Sequence, residues 1–97
     1  MGRYTQKQYF NVILPEWLDS MEDAIHDGAF QTIDADVDLL VETLWQYVGA
    51  HPRVDDMIRK ARELKLFPLN RRNRCVGAMC DILDQIDFWA EEVLMNE

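Results

Sequence analysis

Apolar residues recur every three or four positions along most of this chain, the spacing that gathers them on one side of an α-helix. The first run is Phe10, Ile13, Leu14, Trp17, Leu18, Met21 and Ile25. Thr5 followed by Gln8 predicts where it starts, since a threonine at N-cap and a glutamine at N3 satisfy each other's backbone N–H groups. Pro15 falls inside the run, so it either kinks one helix or stands at the first position of a second that begins after Leu14. The stripe passes through the proline unbroken, which favours one kinked segment. Gly28 is placed to end it.

A second stripe follows in Ile33, Val37, Leu40, Val41, Leu44, Trp45 and Val48, with Thr32 or Asp34 as its cap and Gly49 as its stop. Asp34, Asp36 and Asp38 crowd its first turns, where the helix dipole favours anions. Pro52 at a first helical position opens a third helix with Val54, Met57, Ile58, Ala61 and Leu64 inward. Its acids come early and its bases late, as the dipole rewards. After a break around Pro68, Asn70 or Asn73 is expected to cap a last helix with Val76, Met79, Leu83, Ile86, Trp89 or Ala90, and Val93 inward. Gly77 within it costs about 1 kcal/mol relative to alanine, and beside Ala78 it would let another helix come close. No stretch alternates with period two. The expectation is an all-α fold, one small domain over residues 1–97, a bundle of four helices, or five if Pro15 breaks the first.

Composition narrows this further. Ninety-seven residues make one domain, which buries roughly 60–70% of its unfolded surface around a single core. At 48% hydrophobic the chain is globular rather than disordered. No apolar run reaches the ~18–20 residues of a membrane span. The opening MGRYTQKQYF has no apolar leader, and Gln6 stands where an acylated N-terminus needs serine or threonine. Cys75 and Cys80, on one helix, point about 140° apart, so they are expected as free thiols in a reducing compartment, the cytosol.

Charge changes the picture most. The chain carries −8 in total. Residues 1–52 set nine acids against Arg3 and Lys7, and residues 75–97 hold six acids and no base. Residues 53–74 hold eight bases against Asp55, Asp56 and Glu63. Within that basic stretch Arg71, Arg72 and Arg74 sit at the start of the last helix with no local acid. If Asn70 is the cap, each faces the positive end of the dipole at roughly 0.3–1 kcal/mol. They either pair with acids of the first two helices, bind an oxyanion, or lie in a solvated turn.

The acids form rows at helical spacing: Asp34, Asp38 and Glu42; Glu16, Asp19, Asp23 and Asp27; Asp84, Asp87 and Glu91. Like charges so spaced repel by a few tenths of a kcal/mol each. Such rows are either a solvated face or a surface for a basic partner. One carboxylate per ~6 Å of helix is sparser than one phosphate per ~3.4 Å of a DNA strand, so one row imitates DNA poorly and two or three on one side do better.

Catalytic signals are few. His26 and His51 lie at helix ends with no HExxH-type partner, where histidine serves terminal carbonyls. Cys75 and Cys80 are misspaced for a zinc knuckle, and the glycines form no phosphate loop. Cys75 beside Arg72 and Arg74 could be activated as a nucleophile, though a small buried apolar role is the commoner one. No enzyme activity, cofactor or metal is expected. The pattern points to a cytosolic interaction protein, of the kind represented by small acidic inhibitors, immunity proteins and phage-encoded blockers of nucleic-acid-handling machines. Its acidic faces, Asp34, Asp38 and Glu42 with Asp84, Asp87 and Glu91, would steer it to a protein with a basic surface. Tyr4, Tyr47 and Trp89, at the edges of their stripes, would anchor it. The alternatives are a homodimer pairing acidic ends with the basic middle, and anion or nucleic-acid binding through residues 53–74. The net charge and the near absence of aromatics in that stretch weigh against nucleic acid.

Overall fold

In a computed structural model that describes residues 4–96, the chain is helical from Gln6 to Met95 with short breaks and no strand among the described residues. Met1, Gly2, Arg3 and Glu97 lie outside the described residues, and with them part of the N-terminal stretch weighed above for a leader or an acyl site. The elements are α1 (Gln6–Gln8), a π-helical segment (Tyr9–Ile13), α2 (Leu14–His26), α3 (Ile33–Leu44), α4 (Pro52–Glu63) and α5 (Val76–Met95), with 3₁₀ turns between them.

Thr5 and Gln8 form the expected capping box, each side chain bonded to the other's backbone N–H at 3.1 Å. Pro15 neither breaks the helix nor bends an unaltered one. The five residues before α2 wind as π-helix, and the Leu14 N–H reaches back to the Tyr9 carbonyl. A proline has no N–H and its ring crowds the carbonyl four residues back; widening the turn ahead of it relieves both. The extra residue also lets Tyr9 join Phe10 in the core.

Gly28, at φ +80°, ends α2 in a Schellman motif: its N–H bonds to Ile25 O and that of Ala29 to Ala24 O. Thr32 stands at the N-cap position of α3, as one of the two expected caps, but its side chain makes no capping bond. A 3₁₀ turn, Phe30–Thr32, runs straight into it, and the Thr32 hydroxyl donates to Ala29 O instead. The α3 stripe is buried as far as Leu44, after which the chain tightens to 3₁₀ over Trp45–Tyr47. Turning three residues per turn instead of 3.6 shifts the phase. Tyr47 is thereby carried inward, while Trp45 and Val48, expected inside, are exposed. His51 caps α4 by accepting the Arg53 N–H on Nδ1, so it serves an amide rather than the carbonyls expected of it.

The core joins all of these. Leu18, Met21 and Ile25 of α2, Val37 and Leu40 of α3, Met57 and Ala61 of α4, and Met79, Leu83, Ile86, Ala90 and Val93 of α5 form one buried cluster. The last helix lies against both α2 and α4, and α3 packs on α4. Tyr9, Phe10 and Tyr47 close one end with ring centroids 4.8–5.3 Å apart. Their hydroxyls are satisfied: Tyr9 shares a 2.6 Å bond with Thr43, and Tyr47 donates to Tyr4 O at 2.9 Å. Gly77 is not a close-approach site, since a Cβ there would meet nothing within 4 Å. No helix among the described residues is long and apolar enough to cross a membrane.

Candidate functional site

By turning Leu14, Leu18, Met21 and Ile25 inward, α2 leaves Asp19 exposed and Glu22 half-buried at the boundary. Likewise α5 buries Met79, Leu83, Ile86, Ala90 and Val93 and leaves Asp84 and Glu91 exposed, with Asp87 half-buried. Neither helix contains a lysine or arginine. The two run antiparallel: His26 at the end of α2 meets Cys80 near the start of α5, and further along Asp19 lies within electrostatic reach of Asp87.

The rows therefore merge into one acidic ridge. Burial first, then the charges of Glu91, Asp19 and Asp84, holds the Asp87 carboxyl above its ordinary range. At the far end the Cys80 thiol is pushed up by burial and then by Glu22, Asp84 and Asp81. Five carboxylates act on these two groups and no base offsets them, so a cation arriving here meets concentrated negative potential. Glu92 belongs elsewhere. It accepts from Arg53 of α4 at 2.8 Å, on the opposite flank of α5.

The acidic row expected on α3 is largely consumed by the fold. Asp34 binds Arg72 at 2.8 Å and Asp38 binds Lys65 at 2.7 Å; Glu42 is exposed. Asp34 and Asp38 are thus internal partners of the basic segment rather than half of a free acidic face.

The three arginines divide. Arg72 is 1% exposed and its guanidinium donates to Phe67 O at 3.0 Å, Phe30 O at 2.9 Å and Asp34 at 2.8 Å. Arg71 and Arg74 are exposed and make no ion pair among the described residues. Neither Asn70 nor Asn73 caps α5. Residues Leu69–Arg74 wind as 3₁₀ helix and α5 starts at Val76, so the dipole penalty drawn from an Asn70 cap does not apply.

The aromatic anchors are also redistributed. Tyr4 is exposed, but Tyr47 is only 8% exposed and hydrogen-bonded, which removes it as an anchor. Trp89 is half-buried against the core with the Arg53 guanidinium 5.5 Å above its ring, on the Glu92 flank. Besides Tyr4, the rings of Trp45 and Phe88 are exposed, at 54% and 57%. Phe88 stands one turn from both Asp84 and Glu91, at the edge of the ridge. The signal was present in the sequence: Phe88 lies two positions from both Ile86 and Ala90, about 200° round the helix from each.

A second constellation differs from the incomplete zinc set of Cys75 and Cys80 with a distant histidine, in that Cys75 takes no part and Glu22 does. Glu22 and His26, four apart on α2, meet Cys80 of α5, and one donor atom from each lies within 4.8 Å of the others. Cys75 and Cys80 are both free thiols. Two surface hollows border the basic segment, one between Lys60, Phe67, Asp81 and Gln85, which shares Asp81 with the Cys80 end of the ridge, and one over Leu66–Pro68. Comparison with family models, with curated proteins and with solved structures finds no match to this chain.

Proposed function

We propose that this protein is a non-enzymatic binder that docks on a basic surface of another protein, of the kind that otherwise holds nucleic acid, and so acts as an inhibitor or regulator. The observation that supports this reading is the ridge: Asp19 opposite Asp87, flanked by Asp84 and Glu91, on two helices without a single lysine or arginine. Along α5 the charges recur about every 5–6 Å, and the α2 row beside them raises the density toward that of a nucleic-acid backbone. Fields of this kind raise association rates by about 10–10³-fold at low salt. Phe88, exposed at the rim, is the apolar anchor. The free thiols fit a reducing, cytosolic setting.

The test uses a labelled oligoarginine peptide as the basic probe. Three rim contacts at roughly 0.5 kcal/mol each come to about tenfold in affinity. Replacing Asp19, Asp84 and Asp87 together by asparagine is expected to weaken binding by that factor at low salt and to flatten its salt dependence. Removing the same charge elsewhere, by Asp27→Asn, Glu42→Gln and Asp55→Asn, is expected to cost much less. Equal losses from the two variants would make the effect one of net charge and remove the ridge as a site.

Self-association is a second reading, favoured by Arg71 and Arg74 standing exposed without ion pairs beside exposed Leu66 and Leu69. One copy's ridge would then receive another's arginines. Sedimentation as a monomer at high micromolar concentration rules it out.

A further inference from the structure

We propose that Glu22, His26 and Cys80 form a binding site for a divalent transition-metal ion, zinc by the chemistry of its donors, that ties the end of α2 to the start of α5. Glu22 and His26 are spaced i, i+4 on one helix face, the arrangement by which a single helix offers two ligands to one ion. The third donor comes from a different helix. A site spanning two elements is pre-shaped by the packing of α2 on α5, whose Met21, Ile25, Met79 and Leu83 all belong to the one buried core.

The His26–Cys80 hydrogen bond has a separation that a shared metal ion also fits. Cys80 Sγ lies 3.7 Å from His26 Nε2. Tetrahedral zinc with a Zn–S bond of about 2.3 Å and a Zn–N bond of about 2.05 Å sets those two atoms about 3.6 Å apart. The remaining donor pairs lie within 4.8 Å, a gap that rotation of the Glu22 carboxylate closes. Imidazole, thiolate and carboxylate together select zinc or cobalt over magnesium or calcium, which take oxygen alone. A water completes the coordination, and Asp84, one turn along α5 from Cys80, is a carboxylate on the same side to hold it.

The electrostatics point the same way. Glu22, Asp84 and Asp81 are near enough to act on the thiol, neither helix carries a lysine or arginine, and His26 lies at the negative end of the α2 dipole. Binding of a dication would release the thiol proton to solvent. The inference does not rest on the docking proposal: it needs no partner, and of the residues that the docking test replaces it shares only Asp84, which is not one of its three donors.

Cobalt(II) titration of the full chain, reduced and free of tags, tests it. A thiolate-to-cobalt charge-transfer band is expected, with visible bands of tetrahedral intensity that zinc abolishes. Cys80→Ser is expected to lose the charge-transfer band, and Cys75→Ser to keep it. His26→Gln, at an exposed position where the fold has little at stake, is expected to weaken cobalt binding about tenfold or more. Zinc in about hundredfold excess over its dissociation constant is expected to raise the melting temperature of the wild type by about 5 °C or more, and not that of His26→Gln. Absence of the band, its survival in Cys80→Ser, or an equal thermal shift in His26→Gln would each overturn the proposal and leave the His26–Cys80 contact as a hydrogen bond.

Discussion

Replacing Arg72 by methionine keeps an unbranched apolar stem and deletes the guanidinium that holds three parts of the chain together. Its Nε donates to Phe67 O, one terminal nitrogen to Phe30 O and the other to Asp34, while the side chain is almost wholly buried. Loss of the fork leaves two backbone carbonyls without their partner, at about 1–3 kcal/mol each, and dissolves one charge-assisted bond of about 1.5–3 kcal/mol. The last figure shrinks because the Asp34 carboxylate is 47% exposed and rehydrates. Methionine also recovers part of the apolar burial. The net is about 3–4 kcal/mol, a large share of the roughly 5–15 kcal/mol that holds a domain folded. Urea unfolding followed by circular dichroism measures it, and the melting temperature is expected to fall by roughly 15–25 °C. Two companions separate the causes. Arg72→Lys keeps the charge but cannot fork, and is expected to cost about 2 kcal/mol. Asp34→Asn leaves both carbonyl bonds intact, and is expected to cost about 1 kcal/mol or less. If Asp34→Asn cost as much as Arg72→Met, the ion pair and not the carbonyl clamp would be the holding element. A cost below about 1 kcal/mol for methionine would mean that water reaches the carbonyls.

Three further outcomes follow from the same structure. Asp87 carries a raised carboxyl pKa, so its ionisation works against folding: its contribution is most favourable below the unfolded value of 3.8 and is lost as pH rises through the higher folded value. Asp87→Asn is therefore expected to stabilise by about 0.5 kcal/mol at neutral pH, with the gain vanishing in acid, as paired denaturation curves will show. Gly77 and Gly49 both have open space where a Cβ would go, but only Gly49 has a left-handed backbone, at φ +93°. Alanine is accordingly expected to stabilise by about 0.5 kcal/mol at position 77 and to destabilise by about 1 kcal/mol at position 49 in thermal melts. The Tyr9 hydroxyl, pushed up to about 12 mainly by burial, favours the folded state below pH 10, and that contribution is lost as pH climbs through 12. Tyr9→Phe is accordingly expected to move the alkaline unfolding transition, followed by circular dichroism, to higher pH.

Much of the architecture could be read along the chain because helices bury stripes. The phases of α4 and α5 follow the spacing of Val54, Met57, Ile58 and Ala61, and of Met79, Leu83, Ile86 and Val93, all buried but for slight exposure at Ile58 and Leu83. Caps and stops at Thr5, Gly28, Gly49 and Pro52 are local chemistry, and each is used. The errors cluster where the winding changes. A π segment before Pro15 and 3₁₀ turns at Trp45–Tyr47 and Leu69–Arg74 alter the degrees turned per residue, so a stripe carried on at 100° from Leu44 puts Val48 in, whereas three residues per turn seats Tyr47 over Leu44 and leaves Val48 exposed.

The candidate sites show the same division. That acids lie on α2, α3 and α5 and bases between them is a property of the sequence, and so is the lack of any lysine or arginine on α2 and α5. Which acids are left over is decided only by the packing. Lys65 and Arg72 reach Asp38 and Asp34 because α3 lies along α4 and the following turn, which removes the α3 row and leaves Asp19, Asp84, Asp87 and Glu91 facing one another. Glu22, His26 and Cys80 are likewise brought together by the antiparallel seating of α2 on α5, across 54 positions between the histidine and the cysteine. Local spacing determines which face a side chain is on, because the backbone period is short-ranged; which face it meets depends on how whole helices bury their stripes against each other, and no short window of sequence contains that.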